Sequence, residues 1–250
     1  MSANVPTDIC FSFSGLMQRG GKTGPHRDGW GIGFYEGRGC RLFHDPLASV
    51  DSEVARFISR YSIKSKIVIS HVRKANRGRA CLENTHPFAR ELWGMSWVFV
   101  HNGQLKGIKK YPLKFYQPIG TTDSEHAFCW MLDQIRSAFP KPPKYSGKLS
   151  EFIYILAKRL NDLGVFNFLL SDSRVLYAYC SSRMCWLTRR APFSKARLID
   201  EDMTVDFNEV TTPNDIVTVI ATRPLTKNEK WIRMERGTFK VFNDGMPQLQ

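Results

Sequence analysis

Three segments put glycine or polar residues where an apolar run gives way to a loop, and such places let a rigid scaffold aim functional groups at a ligand. The first is His26-Arg27-Asp28-Gly29-Trp30-Gly31-Ile32-Gly33, whose glycines permit close backbone approach. The second is Ser70-His71-Val72-Arg73-Lys74-Ala75, with Asn84-Thr85-His86-Pro87-Phe88 shortly after it. The third is Phe99-Val100-His101-Asn102-Gly103-Gln104-Leu105, followed by Thr121-Thr122-Asp123-Ser124-Glu125 at a helix start. Together they supply a guanidinium, a carboxylate, an amide beside a glycine and several histidines. Each also has a plain structural account. Asn102-Gly103 after an apolar strand reads equally as a hairpin turn. Asp123 reads as an N-cap, a role that Thr121 or Thr122 also fits. Arg73 reads as a surface-paired charge, and His26, His71, His86 and His101 as satisfied structural histidines.

The elements that must position these groups follow from periodicity. Ile9–Met17 is apolar-rich and stopped by Gly20 and Gly21, which predicts a short helix and a loop. Gly29–Tyr35, Cys40–Phe43, Lys66–Val72 and Trp97–His101 are β-branched and aromatic runs that predict strands. Val50–Tyr61 places Val54, Phe57, Ile58 and Tyr61 on one helical face with Asp51 as the cap. Asp123–Phe139 repeats apolar residues at spacing four, and Leu149 to Leu163 trace a second amphipathic helix ending at Gly164. Val165–Leu170, Val175–Cys180, Met184–Leu187 and Asp215–Ala221 return to strand character, with a last hairpin around Arg236–Gly237 and Lys240–Phe242 behind it. Strands, two helices and more strands suit an α+β sandwich whose helices cover the outer faces of stacked antiparallel sheets.

Composition narrows the class. The chain has 250 residues and 42% hydrophobic content, enough to fill one sizeable core, so a single domain over 1–250 is expected. Thirty-six basic and 23 acidic residues give a net charge of +13. The basic residues are scattered, densest at Lys106–Lys110 and Arg183–Arg197, which favours general solubility or attraction to a small anionic substrate over specific nucleic-acid binding. The six cysteines form no C-x-x-C pair and read as reduced thiols of a cytoplasmic protein. No His or Cys pair has zinc-ligand spacing, and no apolar stretch approaches the roughly 20 residues that span a bilayer.

In their order and spacing, the motifs H-V-R, N-T-H-P, H-N-G and T-D-S-E resemble the glutamine-hydrolysing domain of the class II, N-terminal-nucleophile amidotransferases, and most of all the small stand-alone YafJ-like group. The match covers roughly residues 1 to 130. It implies a four-layer αββα N-terminal-nucleophile hydrolase sandwich of antiparallel sheets and no cofactor. It also implies roles. Free glutamine is a zwitterion, so Arg73 would take its α-carboxylate and Asp123 its α-ammonium. Asn84, Thr85 and His86 would complete the grip, with His86 shaping the loop. Asn102 through its NH2 and Gly103 through its N–H would form the oxyanion hole, each donor contributing on the order of 3 kcal/mol. Gly29 belongs to the loop lining the nucleophile, and Arg27 to the groups holding that loop.

The family's nucleophile is an N-terminal cysteine whose α-amino group acts as base. This chain begins Met1-Ser2-Ala3-Asn4, and Met1–Asp8 resembles the segment after the family's first strand. Ser2 and Cys10 are poor substitutes. Two accounts stand: an upstream Met-Cys strand precedes Met1, or the chain is a variant without glutaminase chemistry, and the full set of pocket positions favours the former. The expected activity is hydrolysis of glutamine through a cysteinyl thioester, with ammonia passing to a separate synthase subunit. Alternatives are a γ-glutamyl amidohydrolase acting alone and a non-catalytic glutamine-binding module.

Overall fold

Spacing-two and spacing-four patterns sort the chain into strands and helices much as expected. The computed structural model describes residues 1–248 except 62, 76, 77 and 145. In chain order the elements are β1 (Ser2–Asp8), α1 (Cys10–Gln18), β2 (Trp30–Glu36), β3 (Gly39–Asp45), α2 (Glu53–Arg60), β4 (Lys64–Val72), β5 (Phe88–Leu92), β6 (Met95–Leu105), α3 (Asp123–Ala138) and α4 (Ser146–Asn161). They continue as β7 (Gly164–Ser171), β8 (Leu176–Cys180), β9 (Cys185–Arg189), β10 (Lys195–Arg197), β11 (Thr204–Asp206), α5 (Phe207–Val210), β12 (Val217–Ala221), β13 (Ile232–Arg233), β14 (Thr238–Asn243) and β15 (Met246–Pro247).

The strands form a seven-stranded sheet in the order β13-β9-β12-β1-β4-β2-β3, a six-stranded sheet in the order β15-β14-β8-β7-β6-β5, and the small pair β10-β11. All of the pairings are antiparallel. Tyr35, Ile67, Ile69 and Ile220 of the first sheet meet Val98, Val100, Leu176 and Phe242 of the second in a core between them. Outside the second sheet, α3 and α4 bury Phe128, Leu132, Ile153 and Leu160 against Trp97, Phe99 and Phe166. Outside the first, α1 and α2 bury Phe13 and Ile58 against Ile32 and Val68. The result is the four-layer αββα sandwich of antiparallel sheets.

β6 shows why its sequence is almost continuously apolar. Val98 and Val100 enter the core between the sheets, whereas Trp97 and Phe99 enter the helical layer, so both faces of the strand are dry. Phe99 stacks on Phe128 of α3 with ring centroids 5.1 Å apart. Burying such rings contributes about 1.5–3 kcal/mol each, and this stack fixes the start of α3 beside the end of β6.

Several expectations are corrected. The cap of α2 is Ser52, whose side chain accepts from the Ala55 N–H, and not Asp51. Of the stripe assigned to that helix only Ile58 reaches the core, beside Ala55, whereas Val54, Phe57 and Tyr61 are exposed. Tertiary contact chose the face one residue away from the longer apolar row. No hairpin forms around Arg236–Gly237. There β13 pairs with β9 in one sheet and β14 with β8 in the other, and the tight turn joins β14 to β15. Met1–Asp8, expected to come after a strand, contributes one itself: β1 lies in the middle of the larger sheet, between β4 and β12. Its sequence, Ser-Ala-Asn-Val-Pro-Thr-Asp, carries little strand signal, and two flanking strands impose the conformation.

Candidate active site

Arg73 follows the last residue of β4 and is 4% exposed. Its Nη1 donates to the carbonyls of Asp28 at 3.1 Å and Arg79 at 3.4 Å. None of the ion pairs among the described residues includes it. A buried guanidinium satisfied by carbonyls alone retains an uncompensated charge, which an anionic ligand would neutralise. The Arg73 N–H donates to the Gly29 carbonyl at 2.7 Å, and the Asp28 N–H to the Arg73 carbonyl at 3.0 Å, lacing the glycine loop to the end of β4. Gly29 has φ 112°, and a Cβ there would press on Thr85 Oγ1 and the Asp45 carbonyl at 3.0 and 3.1 Å, so the position demands glycine. Arg27 Nη2 donates to the Gly21 carbonyl at 2.8 Å and ties the loop's other arm.

Asn84 is a buried connector. Its Oδ1 accepts the Thr121 N–H at 2.7 Å, and its Nδ2 donates to the Arg79 carbonyl at 3.1 Å. The loop that reaches Arg73 is thereby fixed to the approach to α3. Thr85 Oγ1 donates to the Cys81 carbonyl at 2.9 Å. His86 packs between His71 and Phe88, with ring centroids 4.4 and 4.5 Å away. Neither of its ring nitrogens has a hydrogen-bond partner among the described residues. Burial, then the neighbouring His71, His101 and Arg73, hold its pKa well below the usual range, so it is neutral. Among the described residues it has no bonded route for a proton.

Asn102 and Gly103 do not form a turn. They lie within β6, opposite Asn167 and Phe166 of β7. A Cβ on Gly103 would overlap the Val165 carbonyl. His101 spans the same junction, with Nδ1 2.8 Å from Ser124 Oγ and Nε2 2.9 Å from the Val165 carbonyl. Asp123 is not the cap of α3; Thr122 is, through its side chain and the Glu125 N–H. Instead Asp123 Oδ2 accepts the Leu105 N–H at 2.7 Å, and Oδ1 accepts the Ser124 N–H at 3.0 Å. The carboxylate and the Asn102-Gly103 pair are therefore tied to one strand end, and Asp123 forms no ion pair among the described residues.

Asn167 escaped sequence reasoning, although a polar residue inside the apolar run Val165–Leu170 was a visible signal. It is 2% exposed. Its Nδ2 donates to the Asn102 carbonyl at 3.0 Å and to Ser182 Oγ at 2.8 Å, and its Oδ1 accepts the N–H groups of Ser181 and Ser182, each at 3.0 Å. It thus holds the Asn102 strand to the Ser181–Arg183 loop.

A cavity of about 1230 Å³ opens beside these groups. Asn102, His26, His71 and Lys74 stand on its wall. Arg73, Gly103, Asp123, Asn84, Thr85, His86, Arg27 and Gly29 are not on its lining; of these, Arg73, Gly103 and Arg27 are each next in sequence to a residue that is.

The six thiols are all held above their ordinary range. Burial raises Cys10, Cys129 and Cys185 to about 11 and Cys40 to about 12, and it raises Cys180 as well. The Glu83 carboxylate raises Cys81. None is a ready thiolate. The Ser2 hydroxyl accepts the Gly245 N–H at 3.2 Å and is 1% exposed.

The family model for class II glutamine amidotransferases matches residues 1–250. This chain belongs to that family. An Escherichia coli (strain K12) protein named as a glutamine amidotransferase, YafJ, is 55% identical over 242 residues, which are 97% of this chain and 95% of that protein. A Haemophilus influenzae protein, also named for glutamine amidotransferase activity, is 47% identical over 98% of this chain and 83% of its own length. The crystal structure of a predicted glutamine amidotransferase from Pseudomonas aeruginosa superposes with a TM-score of 0.79 at 50% identity, over 100% of this chain and 98% of that one. The Bacillus subtilis glutamine phosphoribosylpyrophosphate amidotransferase shares the fold at 16% identity, with a TM-score of 0.58 over 96% of this chain and 45% of that one.

Proposed function

We propose that this class II amidotransferase domain binds glutamine as a zwitterion and hydrolyses its side-chain amide to glutamate and ammonia. The observation that carries the reading is Arg73: a guanidinium 4% exposed, held by two carbonyls and without an acidic partner among the described residues, is suited to a ligand carboxylate. Asp123, tied through Ser124 and Leu105 to the strand bearing Asn102 and Gly103, takes the α-ammonium. The Asn102 amide and the Gly103 N–H then face the amide carbonyl as its oxygen becomes anionic. Asn84, Thr85 and His86 close the pocket from the side of Arg73, and Arg27 and Gly29 shape the loop beneath it.

The nucleophile this reading requires is a cysteine thiolate beside a free α-amino group, which none of the six described thiols supplies. This rests on the raised pKa of the six thiols and the bonded, buried hydroxyl of Ser2. The thiolate adds to the amide carbon, ammonia leaves on collapse of the tetrahedral adduct, and water releases glutamate from the thioester. The ammonia goes to a separate synthase subunit. A chain extended upstream with Met-Cys should release ammonia from glutamine, and the chain beginning at Met1 should not; equal rates would refute the assignment.

The same raised thiols favour a second reading, a glutamine-binding module without turnover. The extended protein decides between them. If it turns over a bulky γ-glutamyl amide faster than glutamine, the domain acts alone as a γ-glutamyl amidohydrolase.

A further inference from the structure

Charge on the wall of the site is one-sided. Arg19, Lys74, Arg183, Arg223, Arg233 and Arg236 line the cavity, against a single carboxylate among the described residues, Asp200. That carboxylate is already engaged: Arg19 Nε donates to it at 2.6 Å and Thr23 Oγ1 at 2.8 Å. Among the described residues no ion pair includes Lys74, Arg183, Arg223, Arg233 or Arg236. Three other cations of the dense basic stretch that begins at Arg183 do have acidic partners, Arg189 with Glu229, Lys195 with Asp206 and Arg197 with Asp202. Like charges left together on one wall repel each other, and a concave surface of one sign concentrates ions of the other.

Backbone pairing gathers three of these arginines. Arg233 lies opposite Cys185 where β13 pairs with β9. The Met234 N–H donates to the Met184 carbonyl at 3.0 Å, and the Gly237 N–H to the Cys180 carbonyl at 2.7 Å. Arg233 and Arg236 therefore stand along the segment that carries Arg183, and all three are exposed. That segment is tied to the strand of the proposed oxyanion hole. Asn167 Oδ1 accepts the N–H groups of Ser181, Ser182 and Arg183, the last at 3.3 Å, while its Nδ2 holds the Asn102 carbonyl. With these backbone donors occupied, the charged group the loop can offer a ligand is the Arg183 guanidinium. Lys74 and Arg223 extend the basic wall past His26: burial lowers the pKa of that ring, and the charges of Lys74, Arg223 and Arg19 lower it further. Arg19 Nη1 donates to the Arg223 carbonyl at 3.2 Å and fixes that end of the wall.

The pose described under the proposed function leaves one part of the ligand without a partner. Arg73 and Asp123 take the amino-acid head, and Asn102 with Gly103 takes the amide oxygen. Nothing in that set meets a substituent on the amide nitrogen, and the loop bonded to Asn102 through Asn167 is the one that carries Arg183. We propose that the substrate of this site is a γ-glutamyl amide whose amine half carries an anionic group, a carboxylate or a phosphate, held by Arg183, Arg233 and Arg236. The assignment rests on the reading of Arg73, Asn102, Gly103 and Asp123 given above and names the substrate class that reading left open. Planar guanidinium groups grip either anion at two points, while Lys74 and Arg223 add attraction at longer range. Glutamine fills the same pocket without reaching these arginines. In turnover the thiolate adds to the amide carbon, the C–N bond breaks, and the nitrogen leaves with a proton as the free anionic amine. Water then splits the thioester to glutamate and restores the thiol.

Calorimetry on the protein tests this, with γ-glutamyl-β-alanine and γ-glutamyl-2-aminoethylphosphonate as anionic probes and γ-glutamylpropylamide as a neutral ligand of similar length. At least one anionic amide should bind roughly tenfold more tightly than the propylamide, an advantage that shrinks in ~0.5 M salt, and the tighter of the two names the anion. Arg183→Gln, Arg233→Gln and Arg236→Gln should each lower that ratio roughly threefold. Lys148→Gln, which removes the same charge from the exposed side of α4, should not lower it. A ratio equal in all four variants assigns the effect to net charge and overturns the proposal. Equal affinity for the three amides overturns it too, and leaves the glutamine pocket standing. Free propionate or propylphosphonate binding as tightly as the matching amide would make the arginines a separate anion site, which again overturns it. If neither the amides nor glutamine bind, the glutamine pocket itself fails and the proposal falls with it.

Discussion

The side-chain amide of Asn167 donates to the main-chain carbonyl of Asn102 at 3.0 Å and at the same time accepts from the backbone of Ser181 and Ser182. One buried residue of β7 thus sets the position of the proposed oxyanion-hole asparagine relative to a loop at the cavity wall. Replacing Asn167 by alanine should lower stability by about 3 kcal/mol, because buried donors and acceptors lose their partners together. Aspartate, which keeps the acceptor but sets a carboxylate oxygen against the Asn102 carbonyl, should be no better. Urea unfolding checks both; an unchanged midpoint in the alanine variant would mean that other contacts hold the junction.

Arg73 should behave as a ligand group. Arg73→Ala is expected to weaken glutamine binding at least tenfold by calorimetry, which corresponds to about 1.4 kcal/mol. Arg73→Lys should recover little of it, because an ammonium cannot reproduce the planar two-point grip on a carboxylate. Full affinity in the lysine variant would point to a simple electrostatic role.

Two glycines should respond in opposite directions. At Gly103 a methyl would enter the space of the Val165 carbonyl between two paired strands, so Gly103→Ala should cost about 3 kcal/mol or prevent folding. At Gly147, near the start of α4, a Cβ meets nothing within 4 Å, and Gly147→Ala should stabilise by about 0.5–1 kcal/mol. Thermal melts of the two variants distinguish steric demand from mere helix propensity.

Acid should unfold the protein through its buried histidines. His86 and His101 are 4% and 3% exposed, and burial lowers both pKa values below 6.5. Burial also lowers His71 to about 3. The folded state keeps these rings neutral while the unfolded chain protonates them near 6.5, so their contribution is complete above pH 6.5 and is lost as pH falls below it. Each fully neutral ring should cost about 1.4 kcal/mol per pH unit in that range. His86→Phe, which removes one titrating ring, should make the decline between pH 6.5 and 5 measurably shallower in urea titrations; a parallel curve would exclude His86 as a contributor.

Strong local periodicity carried the reading of most elements. The apolar run before His101 and the spacing-four repeat after Asp123 became β6 and α3 because each has dry faces that match its own period. The sandwich followed, since two one-sided helices between groups of strands need flat partners. The family, too, was legible in four short motifs and their order. Sequence reading failed at local choices between near-equal options. Ser52 and Asp51 are both good caps, and only the chain's path decides which side chain reaches the first free N–H.

By itself the sequence determined which chemical groups this protein holds and in what order they come along the chain: Arg73, Asn102, Gly103 and Asp123 at the ends of elements. Tertiary structure decided their environment. That Arg73 is buried without a counter-ion among the described residues, that Asn102 is pinned by Asn167, and that Met1–Asp8 stands between β4 and β12 all depend on pairings between residues far apart in sequence. Spacing along a chain encodes which face of an element is apolar, but not which distant backbone will satisfy its hydrogen bonds.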